Sequence, residues 1–126
     1  MGAVDDLLAL RWTESLVKAL FEEQESLERL KKNCSSRKKG KYLEKRLENV
    51  QEKLAKEIES YIDFREEVIE ILKRIDDGQI RCVLELRYVN YLSWEEIAGR
   101  LRFSKRHILR LNEKGLKMLE EIKNGD

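Results

Sequence analysis

Residues 91–111 read YLSWEEIAGRLRFSKRHILRL, a stretch that holds two helix starts separated by a two-residue break. Ser93-Trp94-Glu95-Glu96 has the form of a capping box. In it the Ser93 hydroxyl can accept from the Glu96 amide while the Glu96 carboxylate reaches back. Ile97, Ala98 and Leu101 then recur at the spacing of one helix face. Arg102-Phe103 interrupts the pattern, and Ser104 is placed to cap a further helix with its apolar face at Ile108, Leu111, Gly115 and Leu119. Upstream, Asp76-Asp77-Gly78 closes a preceding helix, and Ile80, Val83, Leu84 and Tyr88 mark one face of a short one. The expectation is three short helices. Small Ala98 lets the second and third approach closely, and Ile97, Leu101, Phe103, Ile108 and Leu111 fill the wedge between them.

At about 100° per residue, the side of the third helix facing away from that wedge carries Arg106, Arg110, Glu113 and Lys117, with Lys114 beside them. Residues 99–117 hold seven cations (Arg100, Arg102, Lys105, Arg106, Arg110, Lys114 and Lys117) against Glu113 alone. A helix-turn-helix whose third helix is apolar on one side and cationic on the other suits the major groove of double-stranded DNA. Arg106 and Arg110 lie in the early turns and are the candidates for base edges, since arginine reads guanine bidentately. Lys105, Lys114 and Lys117 suit phosphate, as flexible point charges do. Arg102, Ser104 and His107, around the start of the helix, complete the candidate DNA-binding set. His107 is the single histidine and sits to one side, where an incidental polar contact is the simpler reading.

The composition places these helices in an all-α chain. Among 126 residues there is no proline, six are glycine and 40% are charged, a balance that favours long helices over strands. The net charge of +1 hides a split: residues 1–78 carry 16 Lys/Arg against 18 Asp/Glu, and residues 79–126 carry 10 against 7. The basic excess is local, and a polyanionic partner responds to locality. Cys34 and Cys82 form no CxxC or Cys/His cluster and fit reduced thiols, with Cys82 a small core residue. Asn33-Cys34-Ser35 matches a glycosylation sequon, an accidental match without a signal peptide. No apolar run approaches the roughly 18 residues that span a bilayer, so a cytoplasmic protein without a membrane partner is expected. Glycine-rich phosphate loops, metal-ligand clusters and Ser/His/Asp sets are absent from the sequence, and the cap already explains Glu96 beside Glu95. We therefore expect no enzyme, no cofactor, no metal and no small-molecule substrate.

Two longer apolar patterns precede the short helices. Leu16, Leu20, Leu27, Leu30 and Cys34 run at three/four spacing, with Asp5 or Asp6 suited to the positive start of that helix. Asn33 to Gly40 breaks the pattern with turn formers and like charges. A second seam then runs from Leu43 through Leu47, Val50, Leu54, Tyr61, Phe64, Val68 and Ile71 to Ile75. At 1.5 Å per residue this second helix would be about 50 Å long. Folded back antiparallel, the two would set Trp12 near Phe64, Phe21 near Leu54 and Leu30 near Leu47. Ile58, Ile62, Ile69 and Leu72 form a further stripe on the second helix, which one partner helix cannot also cover. The reading is a long antiparallel coiled-coil hairpin at residues 4–75 for oligomerisation or docking, followed by a compact three-helix unit at 79–122. Its turn is strongly basic, residues 29–46 holding nine cations against Glu44.

The stretch VLELRYVNYLSWEEIAGRLRFSKRHILRLNEKGLKML, residues 83–119, resembles region 4 of bacterial sigma-70 factors. The likeness rests on Leu86-Arg87-Tyr88 in the first helix, Glu96-Ile97-Ala98 in the second, Ser104 opening the third, and Gly115-Leu116. A coiled-coil leader with such a tail is similar to phage and prophage late transcription regulators of the ArpU/RinA kind. The resemblance implies a DNA-binding transcription regulator with RNA polymerase as a possible second partner. The basic third helix makes the expected reading sequence-selective, and the hairpin makes the expected assembly a homodimer on two half-sites. Two departures stand out. Arg102 occupies a turn position where the family often has glycine, and residues 1–75 lack the aromatic-rich region with which sigma factors melt promoter DNA. The resemblance thus implies a regulator with a region-4-like reader and not a complete sigma factor. Two other classes stay open. A phage DNA-packaging adaptor like a terminase small subunit would assemble as a ring of many copies, whereas a polymerase-binding module would show no DNA binding of its own.

Overall fold

Charge at its two ends suits the first long helix to its direction. The computed structural model describes residues 2–125, Ala3 by its backbone alone, and α1 spans Ala3–Lys32. Asp5 and Asp6 sit in its first turn and Arg29, Lys31 and Lys32 in its last, both favourable to the helix dipole. The Asn33 amide closes this end by donating to the Arg29 carbonyl at 3.1 Å. Ser36 then caps α2 (Arg37–Leu72), its hydroxyl accepting from the Lys39 N–H at 3.3 Å. Three short helices follow: α3 (Gly78–Leu84), α4 (Trp94–Leu101) and α5 (Lys105–Gly125). A single π-helical turn, Glu85–Val89, prolongs α3. Among the described residues there is no strand, so the fold is all-α as expected. None of these helices is long and apolar enough to cross a membrane.

The chain divides into two compact units. One is Trp12–Ile62, the distal part of the two long helices; the other joins the chain up to Arg11 with everything from Asp63 onward. In the first unit Leu20, Val50 and Leu54 are buried, and Glu23 and Arg46 pair across the helices at 3.4 Å. The expected seam is corrected here. Trp12 is 75% exposed and Leu30 56%, and Leu16 and Phe21 are also exposed, so neither Phe21–Leu54 nor Leu30–Leu47 is a buried pair. Thr13, Val17, Leu20, Gln24 and Leu27 turn inward instead, again at four/three spacing. Leu20 and Leu27 fit either choice, which made the apolar pattern degenerate. The observed rotation brings the short Thr13 and Val17 towards α2 and leaves the broad indole of Trp12 outside. On α2, Ile58 is half-buried and Ile62 exposed.

The second unit has the larger core. Leu7, Leu10, Val68, Leu72 and Ile75 are buried in it, together with Ile80, Val83, Leu84, Leu86, Val89, Ile97, Ile108, Leu111 and Leu119. Leu7, Val68, Ile71, Leu72 and Leu119 line one small apolar gap, so the beginning of α1, the end of α2 and the end of α5 meet there. Polar contacts reinforce the junction. The Val4 N–H donates to Glu120 Oε1 at 3.3 Å, and the Lys123 ammonium pairs with the Asp6 carboxylate. The core under the short helices therefore includes residues from both ends of the chain.

At Gly115 the fit between α3 and α5 leaves no room for a side chain. A Cβ there would come within 2.8 Å of both Ile80 Cγ2 and Leu84 Cδ1. Ala98, expected at the close crossing of the second and third short helices, is only half-buried. Beside Gly115 the Tyr88 hydroxyl donates to Asn112 Oδ1 at 2.9 Å, and burial pushes the Tyr88 phenol up from its ordinary value. We predict that Gly115→Val destabilises the protein by about 1–3 kcal/mol through overpacking. Gly99→Ala, where nothing lies within 4 Å of the new methyl, should instead stabilise by about 0.5–1 kcal/mol. Thermal unfolding of the two variants checks both signs; equal melting temperatures would mean that α3 and α5 do not touch at Gly115.

Candidate nucleic-acid interface

Two caps and one left-handed residue position the basic helix. The capping box forms as read: the Glu96 N–H donates to Ser93 Oγ, and the Ser93 N–H donates to Glu96 Oε1, each at 3.1 Å. The Ser93 N–H holds the Glu96 carboxyl below its ordinary value. Lys105 does the same for Glu95, across a 2.8 Å ion pair. Because both folded-state values are lowered, any stability these groups confer is present above the ordinary carboxylate range and is lost as acid protonates them. Both are exposed, which keeps such contributions small.

The α4–α5 turn depends on Arg102, which has φ 58° and ψ 39°. Its left-handed backbone lets the Phe103 N–H reach the Ala98 carbonyl at 3.1 Å, ending α4. Ser104 then opens α5, its hydroxyl accepting from the His107 N–H at 3.1 Å. An arginine in this conformation carries a strain of about 1 kcal/mol that glycine would not. Arg102→Gly should therefore raise stability by about 1 kcal/mol while removing an exposed cation. Thermal melts and duplex-binding measurements on the same sample should move in opposite directions. A lowered melting temperature would contradict the left-handed turn.

Along α5, Ile108, Leu111, Gly115 and Leu119 are buried while Arg106, Arg110, Glu113, Lys114 and Lys117 are exposed. From Arg106 to Lys117 the cationic face extends roughly 16 Å along the helix axis. Arg102, Ser104 and Lys105 are exposed at its start, as is Arg100 at the end of α4. His107 departs from this set. It is half-buried, and its ring meets Phe103 edge-on with centroids 4.7 Å apart, so it packs on the wedge. Lys105 is also less free than the sequence suggested, because its ammonium is already paired with Glu95 at 2.8 Å. Leu109, 40% exposed, flanks the cationic face.

Arg87 had no assigned role in the sequence. Its guanidinium lies 4.3 Å from the ring centroid of Trp94 and donates to the Leu92 carbonyl at 3.0 Å. It thereby fixes the loop that leads into α4, where Tyr91 is the other left-handed residue. No local spacing announces a pairing across such a loop. Among the described residues no group of three His, Cys, Asp or Glu could hold a metal ion.

Comparison with known proteins agrees with this geometry. A family model described as ECF sigma factor matches residues 17–126, reaching well beyond the short helices through all of α2 and the second half of α1. Neither the curated proteins nor the solved structures gave a match. A domain of this family is regulatory and non-enzymatic, of the kind that meets DNA and RNA polymerase. With the capped helix pair, the left-handed turn and the family match over residues 17–126 in agreement, the chain belongs to the ECF sigma factor family.

Proposed function

We propose that this chain is a sequence-selective DNA-binding transcription regulator that inserts α5 into the major groove. Arg106 and Arg110 read base edges; Arg102, Lys105, Lys114 and Lys117 neutralise phosphates, and the Ser104 helix start receives another. His107 serves the wedge and borders the contact. Residues 79–122 form the reading element, and the hairpin at 4–75 is the assembly element that makes a dimer on two half-sites. The combination of a coiled-coil leader with a region-4-like tail, similar to that of phage and prophage late regulators, supports a chain of that source. The single observation that carries the reading is α5 itself, with one face buried at Ile108, Leu111, Gly115 and Leu119 and the opposite face exposed and cationic.

A salt-titrated binding measurement on random duplex, followed by selection of bound sequences, tests it. Affinity should fall with salt at a slope of about −0.9 per phosphate neutralised, and selection should converge on one site. Salt-insensitive binding without a preferred sequence would sink the reading. The exposed Leu109 beside the basic face favours a second reading, a module that grips RNA polymerase without reading DNA alone. In that case duplex binding appears only when polymerase is added.

A further inference from the structure

The Trp12–Ile62 unit exposes more large apolar side chains than it buries. Trp12, Leu16, Phe21, Leu30, Tyr42 and Ile62 are exposed, whereas Leu20, Val50 and Leu54 are buried. A core so small is marginal by itself. A second heptad stripe runs along α1 beside the buried seam: Trp12, Leu16, Ala19 and Leu30 on it are exposed, and Glu23 and Ser26 between them are half-buried. Leu30, Cys34, Tyr42 and Leu43 line one open groove at the hairpin tip.

Charge along this unit is segregated by position. The tip, residues 29–46, holds nine cations against Glu44. The stem, residues 12–28 and 47–62, holds Lys18, Lys53 and Lys56 against nine glutamates. In α2 the cations Arg37, Lys38 and Lys39 occupy the first turn, where they oppose the helix dipole, so they do not serve the helix they open. Tip and stem are thus complementary to each other, and a hairpin's own tip cannot fold onto its own stem.

We infer that the Trp12–Leu16–Leu30 face packs antiparallel against the same face of a second copy, basic tip on acidic stem at both ends. The contact is isologous: each copy offers a tip to its partner's stem and receives one, closing as a twofold dimer. Leu30 and Tyr42 of one copy lie towards Trp12 and Leu16 of the other, giving four helices around a shared core. A parallel arrangement would set tip on tip and repel. This deepens the dimer invoked in the proposed function, but it is measured without DNA, so either can fail alone.

Sedimentation of the full chain at low and high salt, with three variants, tests the arrangement. The parent should be a dimer that weakens as salt screens the tip–stem attraction. Trp12→Glu should raise the dimer dissociation constant roughly thirtyfold or more, as loss of an aromatic anchor does. Circular dichroism should show its helicity intact, since Trp12 is 75% exposed in the single chain. K38E/K39E/K41E, which cuts the excess of the tip from +8 to +2, and E22K/E25K/E28K, which brings the stem from −6 to neutral, should each dimerise more weakly than the parent at low salt. Mixed in equal amounts they should form a one-to-one heterodimer. A monomeric parent at tens of micromolar, a ring of many copies, or charge-reversed variants that self-associate as the parent does would each overturn the inference. Loss of DNA binding with the dimer intact would instead count against the DNA-reading proposal alone.

Discussion

Leu10→Ala is expected to destabilise the unit that carries the basic helix by about 2–5 kcal/mol, although Leu10 stands at the opposite end of the chain. Leu10 is wholly buried, in the unit that also holds Leu7, Val68, Leu72 and Leu119. Removing its isobutyl group forfeits the transfer free energy and leaves a cavity that helices tied at both ends cannot readily close. Domains of this size are stable by only about 5–15 kcal/mol, so the loss is a large fraction of the whole. Leu8→Ala, two residues away but 48% exposed, is the control, with an expected change within about 0.5 kcal/mol. Denaturant unfolding followed by far-ultraviolet circular dichroism measures both. If the two variants melt alike, the beginning of α1 does not belong to the core beneath α5. A corollary concerns dissection: cutting away residues 1–75 removes Leu7, Leu10, Val68, Leu72 and Ile75 from that core. An isolated tail should therefore bind DNA poorly because it folds poorly.

The double variant R106A/R110A should lose the largest share of DNA affinity while keeping the parent's stability. Each arginine, if bidentate to a base, carries about 1–3 kcal/mol of discrimination. The two are neighbours at i and i+4 and will not be strictly additive, so a combined loss of roughly 2–6 kcal/mol on the selected site brackets the expectation. Random duplex should lose far less, because Lys105, Lys114 and Lys117 still supply phosphate contacts. Both arginines are exposed while the adjoining Ile108 and Leu111 are buried, so the melting temperature should stay within about 1 °C of the parent's. Binding to selected and random duplexes, with a melt on the same preparation, separates the cases. An equal loss on both duplexes would make the arginines phosphate contacts. An unchanged affinity would make the basic face a solvated surface.

What was legible in the sequence is what short-range rules determine. The Ser93 and Ser104 caps, the interruption at Arg102-Phe103 and the apolar face of α5 all follow from hydrogen bonds and side-chain directions within one or two turns. The cationic face is legible for the same reason, since 100° per residue places Arg106, Arg110 and Lys117 opposite Ile108 once the helix exists. Even the strain at Arg102 could be read, because a helix that ends and restarts within two residues needs a left-handed link. Choices among equivalent local patterns were not legible. Leu20 and Leu27 fit two faces of α1, and only packing against α2 turned Val17 inward and Trp12 outward. The burial of Leu7 and Leu10, the approach of α3 to Gly115, the Lys105–Glu95 ion pair and Arg87 on Trp94 join residues with no fixed sequence spacing. Such contacts are set by the rotation and crossing of whole helices. Those follow from the sum of many weak packing terms over the folded chain, and no single stretch of sequence contains them.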